Sequence, residues 1–265
     1  MMVGKILRWL ELIMAVKPER PDRAAWLQGG EAHCNFAPSF QLYPRRLGLL
    51  GAPGVGKGTQ ARLLSNRLDV CHLATGELFR AARKISECDR TPTMIMALEH
   101  LRAGALVPDE FVQNLIVERS RCLRCKGGFV LDGFPRSTAQ AEALDKLLTA
   151  QDVRLDVILH YELPIETLIA RLNGRRQCPA CQSVFHVVTQ PPKRAEYCDL
   201  CGSSLTRRED DRPECIRVRM LEYQQNIIPL VDFYRMKNLL ISINAEGTAE
   251  EVFERTLAAL QNQQR

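Results

Sequence analysis

Apolar positions along the chain fall into short blocks whose period switches between two and three to four, which predicts strands alternating with helices. Leu47 to Leu50 is an apolar run closed by a glycine-rich turn, the mark of a buried strand. Lys57 to Leu68 reads as a helix with Leu63, Leu64 and Leu68 on one side. Helical segments follow at about 76–88, 92–103 and 109–120, with Gly104 ending one and Pro108 opening the next. Phe129 to Leu131 is a strand ended by Asp132-Gly133. Ser137 to Ala150 is a helix started by the Ser137 hydroxyl. Val157 to Tyr161 and Leu239 to Ile243 read as strands. Ile165 to Leu172, Asp211 to Arg235 and Glu250 to Leu260 read as helices. The expected fold is α/β, a three-layer parallel sheet with helices on both faces. Two stretches stand outside the pattern. Residues 1–46 hold both tryptophans, Trp9 and Trp26, and show no regular alternation; residues 174–207 carry two cysteine pairs.

A chain that is 46% hydrophobic and 25% charged has enough apolar side chains for a core, which excludes a disordered or collagen-like protein. The net charge of +5 is too small to argue for nucleic acid and suits a polyanionic small molecule. No apolar run reaches the roughly 18 residues a membrane span needs. Val3 to Val16 is apolar-rich, but Lys5, Arg8 and Glu11 interrupt it and no small-residue cleavage site follows, so it does not read as a signal peptide. Glu11, Glu19 and Asp22 spoil the acid-poor pattern of a mitochondrial presequence. A cytoplasmic protein with no membrane partner is expected. Ten cysteines in a chain this long, four of them in two C-x-x-C pairs, point to metal in a reducing compartment.

Gly51-Ala-Pro-Gly-Val-Gly56-Lys57-Gly58-Thr59 is a G-x-x-x-x-G-K element between a predicted strand and a predicted helix, the context a phosphate loop requires. Glycines let backbone N–H groups converge on a phosphate. The helix N-terminus adds partial positive charge and Lys57 a full one. Asp132 closes an apolar strand, at the end of a sheet where α/β proteins bind ligands, and a carboxylate there can hold magnesium through water. Arg80 and Arg136 offer planar forks that match phosphate oxygens.

The general loop carries Ser or Thr directly after the lysine; here Gly58 intervenes, and the GxPGxGKGT form resembles that of the adenylate kinases among nucleoside monophosphate kinases. Three further segments resemble the same family: Thr75-Gly76-Glu77-Leu-Phe-Arg80, Gly104-Ala-Leu106-Val107-Pro-Asp109-Glu110, and Asp132-Gly133-Phe134-Pro135-Arg136 with Gln140 after it. In order, the resemblance runs from about 47 to 262. It implies a P-loop core of 47–74, 106–173 and 208–262, a helical acceptor-binding insert at about 75–105 and a lid at about 174–207, with residues 1–46 as an extension of unknown role. It places Gly54, Val55, Gly56, Lys57, Gly58 and Thr59 on ATP. It places Thr75, Arg80, Leu106, Val107, Gly133, Arg136 and Gln140 on AMP. Asp132 and Glu77 would hold Mg²⁺ through water, Glu77 standing where the family usually has Asp.

Cys178-Pro-Ala-Cys181 and Cys198-Asp-Leu-Cys201 are separated by sixteen residues, a spacing for structural zinc with no open coordination position. A zinc ribbon could suggest nucleic acid. The insert, however, interrupts a P-loop chain and is flanked by Arg171, Arg175 and Arg208, and it resembles the long lid of bacterial adenylate kinases with four cysteines. The resemblance adds Arg171, Arg175 and Phe185 to the ATP side and Arg208 and Arg219 to the AMP side. Asp210 and Asp211 either pair with lid arginines or lie on a solvated helix start. Cys122 and Cys125 form a third C-x-x-C with no second pair to complete it and read as ordinary thiols; the histidines, lacking ligand spacing, read as structural.

An AMP phosphate oxygen is already anionic at neutral pH, so the implied transfer needs positioning and charge neutralisation rather than a general base. Lys57, Arg136, Arg175, Arg208 and Arg219 would surround the migrating phosphoryl group, under a lid that excludes water. The expectation is a monomer that converts ATP and AMP to two ADP with Mg²⁺ and a structural Zn²⁺. The alternatives are a kinase for UMP, CMP or another acceptor, a donor such as GTP, and a P-loop and zinc protein that binds nucleic acid without turnover. The last would need a basic face with interleaved aromatics, which the sequence does not offer.

Overall fold

The computed structural model describes residues 26, 45–82, 92–103, 105, 107–125 and 127–262. In chain order its elements are β1 (Arg45–Gly51), α1 (Lys57–Leu68), β2 (Cys71–Ala74), α2 (Thr75–Ala82), α3 (Pro92–Ala103), α4 (Asp109–Glu118), α5 (Ser120–Leu123), β3 (Gly128–Asp132), α6 (Thr138–Thr149), β4 (Val157–Glu162), α7 (Ile165–Gly174), β5 (Arg175–Gln177), β6 (Val184–His186), α8 (Pro213–Met236), β7 (Leu240–Asn244) and α9 (Ala249–Asn262). Five strands form one sheet in the order β2-β3-β1-β4-β7, with parallel pairing throughout. β5 and β6 form a separate antiparallel ribbon.

The two-residue period of the strands sorts their side chains onto two faces. Leu47 and Leu49 of β1, Val130 of β3 and Val157, Leu159 and Tyr161 of β4 share one buried cluster with Leu64 of α1, Leu172 of α7 and Phe253 of α9. Leu50, Phe129, Leu131 and Ile158 point the other way, into a second cluster with Val112 and Ile116 of α4 and Leu144 and Leu148 of α6. The long helix α8 serves both: Ile216 and Met220 belong to the first cluster, Leu230 and Tyr234 to the second. Every strand of the sheet ends its run on the same side, so β1, β2 and β3 deliver Gly51, Ala74 and Asp132 to one edge.

Most predicted elements fall where the pattern placed them, and the differences have local causes. Strand β2 was not predicted; Cys71-His72-Leu73-Ala74 is short and poor in β-branched residues, and it forms because β3 pairs with it. The predicted helix at 76–88 is described as far as Ala82, and the rest of it lies outside the described residues. The helix predicted from Asp211 starts at Pro213, because residues Glu209–Asp211 form a 3₁₀ turn and Arg212, held extended before a proline, precedes the first helical position. Of the 1–46 extension, Trp26, Arg45 and Arg46 are described, and the two arginines open β1.

Candidate active site

The turn after β1 holds the glycines of the expected phosphate loop. Gly51 has φ 141°, and a Cβ there would stand 2.6 Å from the Tyr161 carbonyl oxygen of the neighbouring strand, so the chain can turn only without a side chain. Gly56 has φ 107° and nothing within 4 Å of the corresponding position, so conformation rather than space demands glycine, and the approach stays open. No side chain caps α1, whose first N–H groups are therefore available to a ligand. Lys57 Nζ donates to the Gly51 and Ala52 carbonyls at 2.6 and 3.0 Å. Burial lowers its pKa from 10.5 to about 7; Asp132 opposes the shift, and Arg136, Arg219 and Arg175 add to it. Cations from β3's end, from β5 and from α8 therefore press on the phosphate-loop lysine.

Asp132 Oδ2 lies 3.4 Å from the position of a Cβ at Gly58, beside the start of α1, and 3.4 Å from His72 Nε2. Burial alone would raise the Asp132 pKa, but the His72 hydrogen bond and the charges of His72, Lys57 and Arg136 outweigh it and hold the carboxyl below its ordinary value. Next to it, the Thr75 hydroxyl donates to the Asp132 carbonyl at 3.3 Å. A Cβ on Gly133 would meet Thr75 Oγ1 at 2.7 Å and an Arg136 guanidinium nitrogen at 3.3 Å, so these three residues form one corner. Arg136 is pinned there: its Nε donates to the Gly133 carbonyl at 2.8 Å and its backbone N–H to Gln140 Oε1 at 2.7 Å. Gln140, 2% exposed, donates in turn to Asp109 at 2.6 Å, and Ser137 donates to the same carboxylate at 2.6 Å. Val107, two residues before Asp109, is buried in the adjoining cluster.

Arg175, at the base of the lid, and Arg219 of α8 meet two carboxylates just before α8. Arg175 grips Asp211 with two hydrogen bonds of 2.7 and 2.5 Å, and Arg219 donates to the same carboxylate at 3.2 Å. Asp211 is fully buried. Asp210 pairs with Arg219 at 3.0 Å; burial would raise its pKa, but Arg219, Arg175 and Arg208 together lower it. Of the two readings of Asp210 and Asp211, pairing with arginines is the observed one. Arg208 donates to Gln177 at 2.5 Å, beside the lid's neck. Arg171 donates to the carbonyls of Val55, Ala245 and Gly247, which sets it between the phosphate loop and the turn after β7, and burial lowers its pKa.

Within the lid, the sulfurs of Cys178, Cys181, Cys198 and Cys201 lie within 4.8 Å of one another. Two of the Sγ···Sγ pairs stand at 3.4 Å. A tetrahedral site with metal–sulfur bonds of about 2.3 Å would set sulfurs about 3.8 Å apart, so the four donors fit one closed Zn²⁺ site. The lid's apolar cluster is otherwise only Phe185 and Leu205 with partly buried support from Cys181, too little to fold the segment alone. Phe185, 8% exposed, lies in the lid's own cluster beside Cys178, Cys198 and Leu205.

Two of the expected site residues fall outside the description: Leu106, and the side chain of Arg80. Glu77 lies partly exposed in the first turn of α2, and Thr59 in that of α1. Sequence reasoning missed His72 and Asp109, whose importance rests on partners 60 and 31 residues away. It also missed that Cys71 and Cys125 face each other, Sγ to Sγ, at 3.7 Å.

A parallel sheet that ends in a phosphate loop, with a carboxylate on the adjacent strand and three arginines whose charges bear on the loop's lysine, defines a P-loop phosphotransferase. The family model for adenylate kinase matches residues 49–239. An adenylate kinase of Clostridium perfringens (strain 13 / Type A) is 43% identical over 211 residues, covering 80% of this chain and 95% of that protein. One of Caldicellulosiruptor bescii is 42% identical over 215 residues, covering 81% and 98% respectively. The chain belongs to the adenylate kinase family.

Proposed function

We propose that the protein catalyses reversible transfer of the terminal phosphoryl group of ATP to AMP, giving two ADP. The observation that carries this reading is that Arg136, Arg219 and Arg175 all bear on Lys57 of the phosphate loop and lower its pKa, with Arg136 held at the Thr75–Gly133 corner. In this reading Gly54 to Thr59 cradle the donor phosphates with their backbone N–H groups, and Arg171 closes the donor side. Arg136, with Arg80, takes the acceptor phosphate; Thr75 and Gln140 read the base, and Leu106 and Val107 support the nucleoside. Lys57, Arg136, Arg175, Arg208 and Arg219 neutralise the group in flight. Asp132 and Glu77 would hold the water shell of the Mg²⁺ that binds with ATP, an ion that would supply charge neutralisation at the donor phosphates. Lys57 releases the Gly51 and Ala52 carbonyls when a phosphate takes their place. The attacking oxygen is anionic already, so no side chain need remove a proton.

The lid, about 174–207, carries Zn²⁺ on Cys178, Cys181, Cys198 and Cys201 as a structural ion, and its closure keeps water from the phosphoryl group. Residues 75–105 form the acceptor insert, and 47–74, 106–173 and 208–262 the core. The protein is read as a cytoplasmic monomer without nucleic-acid or membrane partners; among the described residues no helix is long and apolar enough to cross a membrane.

Turnover with ATP or GTP against AMP, GMP, CMP and UMP tests the reading, with Lys57→Ala alongside. ATP and AMP should be the preferred pair, and Lys57→Ala should lose turnover while keeping its fold. A pyrimidine preference would move the assignment to another acceptor, and a near-full rate in Lys57→Ala would overturn it.

A further inference from the structure

Trp26 lies in the segment before β1, outside the residues that the family match covers. It is nevertheless 1% exposed and belongs to the core cluster that contains Leu73, Leu78, Val107 and Phe134. Its indole Nε1 donates to the Ala74 carbonyl at 3.2 Å. Its own carbonyl accepts from Arg119 Nε at 2.7 Å. Arg119 is 6% exposed and also donates to the Leu115 carbonyl and to Glu118, which anchors it to the end of α4.

These two bonds join the supports of the acceptor corner. Ala74 is the last residue of β2, an edge strand with no further neighbour among the described residues, and the next residue, Thr75, opens α2. α4 begins at Asp109, which holds Gln140 and Ser137, and ends at Arg119. Trp26 therefore bridges the end of the strand that delivers Thr75 and the end of the helix whose other end sets Gln140. A buried indole presents large apolar area together with one directed donor, a combination suited to fixing two elements at a set spacing. We infer that Trp26 is a positioning residue for the acceptor nucleotide. The inference rests on the reading of Thr75 and Gln140 as acceptor contacts.

The test uses the full chain and separate KM values for ATP and AMP. Trp26→Phe keeps a ring but removes the indole N–H, and a lost neutral hydrogen bond corresponds to a rise of about fivefold in KM for AMP with KM for ATP unchanged. Trp26→Ala should raise KM for AMP further and also lower the melting temperature. A lowered melting temperature with both KM values unmoved, or with both raised together, would overturn the inference and leave Trp26 as core packing. In a Trp9→Phe chain, Trp26 is the sole tryptophan. Its emission should change as AMP binds, and AMP binding seen by calorimetry with unchanged emission counts against the inference. Absence of ATP-plus-AMP turnover in the unaltered chain overturns the proposed function itself, whereas turnover with an unmoved KM for AMP in Trp26→Phe overturns only the role of Trp26.

Discussion

Replacing Asp211 by Ala removes the carboxylate on which the lid's cation meets the core's. Its side chain is 0% exposed, against 16% for Arg175 and 18% for Arg219, and it takes two hydrogen bonds from the first and one from the second. Deleting one partner of a buried pair leaves the rest charged and uncompensated, at a cost of about 3–5 kcal/mol. For a protein of this size that corresponds to a fall of roughly 10 °C in melting temperature. Asp211→Asn keeps the shape and one acceptor and should fall less. Because the pair is shielded from solvent, the loss should persist when salt is raised, whereas an exposed pair would fade. Turnover should drop as well, since Arg175 and Arg219 lose the group that orients them. Thermal unfolding at low and high salt, followed by circular dichroism, reads the effect. An Asp211→Ala protein that melts within about 2 °C of the unaltered chain would refute the reasoning.

Three further outcomes are expected. Elemental analysis should find about one zinc per chain, and Cys178→Ser or chelation should lower the melting temperature, because a closed four-thiolate site supplies folding energy; metal-free protein of equal stability rejects the zinc lid. Lys57, lowered from 10.5 to about 7, is neutral in the empty folded site but protonated in the unfolded chain between those values. Unfolding then takes up a proton, so this lysine's contribution to stability rises with pH across that window and its cost is greatest below about 7. Donor phosphates favour the charged form, so ATP binding in the same window should take up a proton and weaken as pH rises; calorimetry in buffers of different ionisation enthalpy would show no uptake if the burial argument is wrong. Gln140→Ala removes the donor to Asp109 and the acceptor for the Arg136 N–H, and should raise KM for AMP about tenfold and reduce discrimination among acceptor bases, with KM for ATP the control.

Local chemistry made much of the site readable from the chain. The phosphate loop announces itself because glycine spacing, lysine and a following helix are all within a few residues, and the cysteine lid because two pairs share one ligand geometry. Asp132 follows from its place at the end of an apolar strand. What stayed hidden depends on contacts between distant segments. β2 has no strong strand signal of its own and exists through its pairing with β3. Asp109 looks like an ordinary helix-start acid until Gln140 and Ser137 are seen to meet it. Asp211 could have been solvated; only the packing of the lid against α8 makes it the buried partner of two arginines. Trp26 gave no hint, since nothing in the sequence says that its ring will bond the end of β2.

The lid leaves and rejoins the rest of the molecule through a narrow neck, where Gln177 and Thr206 exchange two backbone hydrogen bonds of 2.8 and 2.9 Å. Everything between them has its own apolar cluster and its own set of metal donors. A module joined so economically can be remodelled without disturbing the sheet: its ion could be exchanged for an interior of ordinary side chains, or the whole loop shortened, provided the two residues at the neck still meet and Arg175 and Arg208 stay on the core's side of it. The neck would then outlast the module it carries, as a point at which evolution can rewrite the covering of the sheet's end.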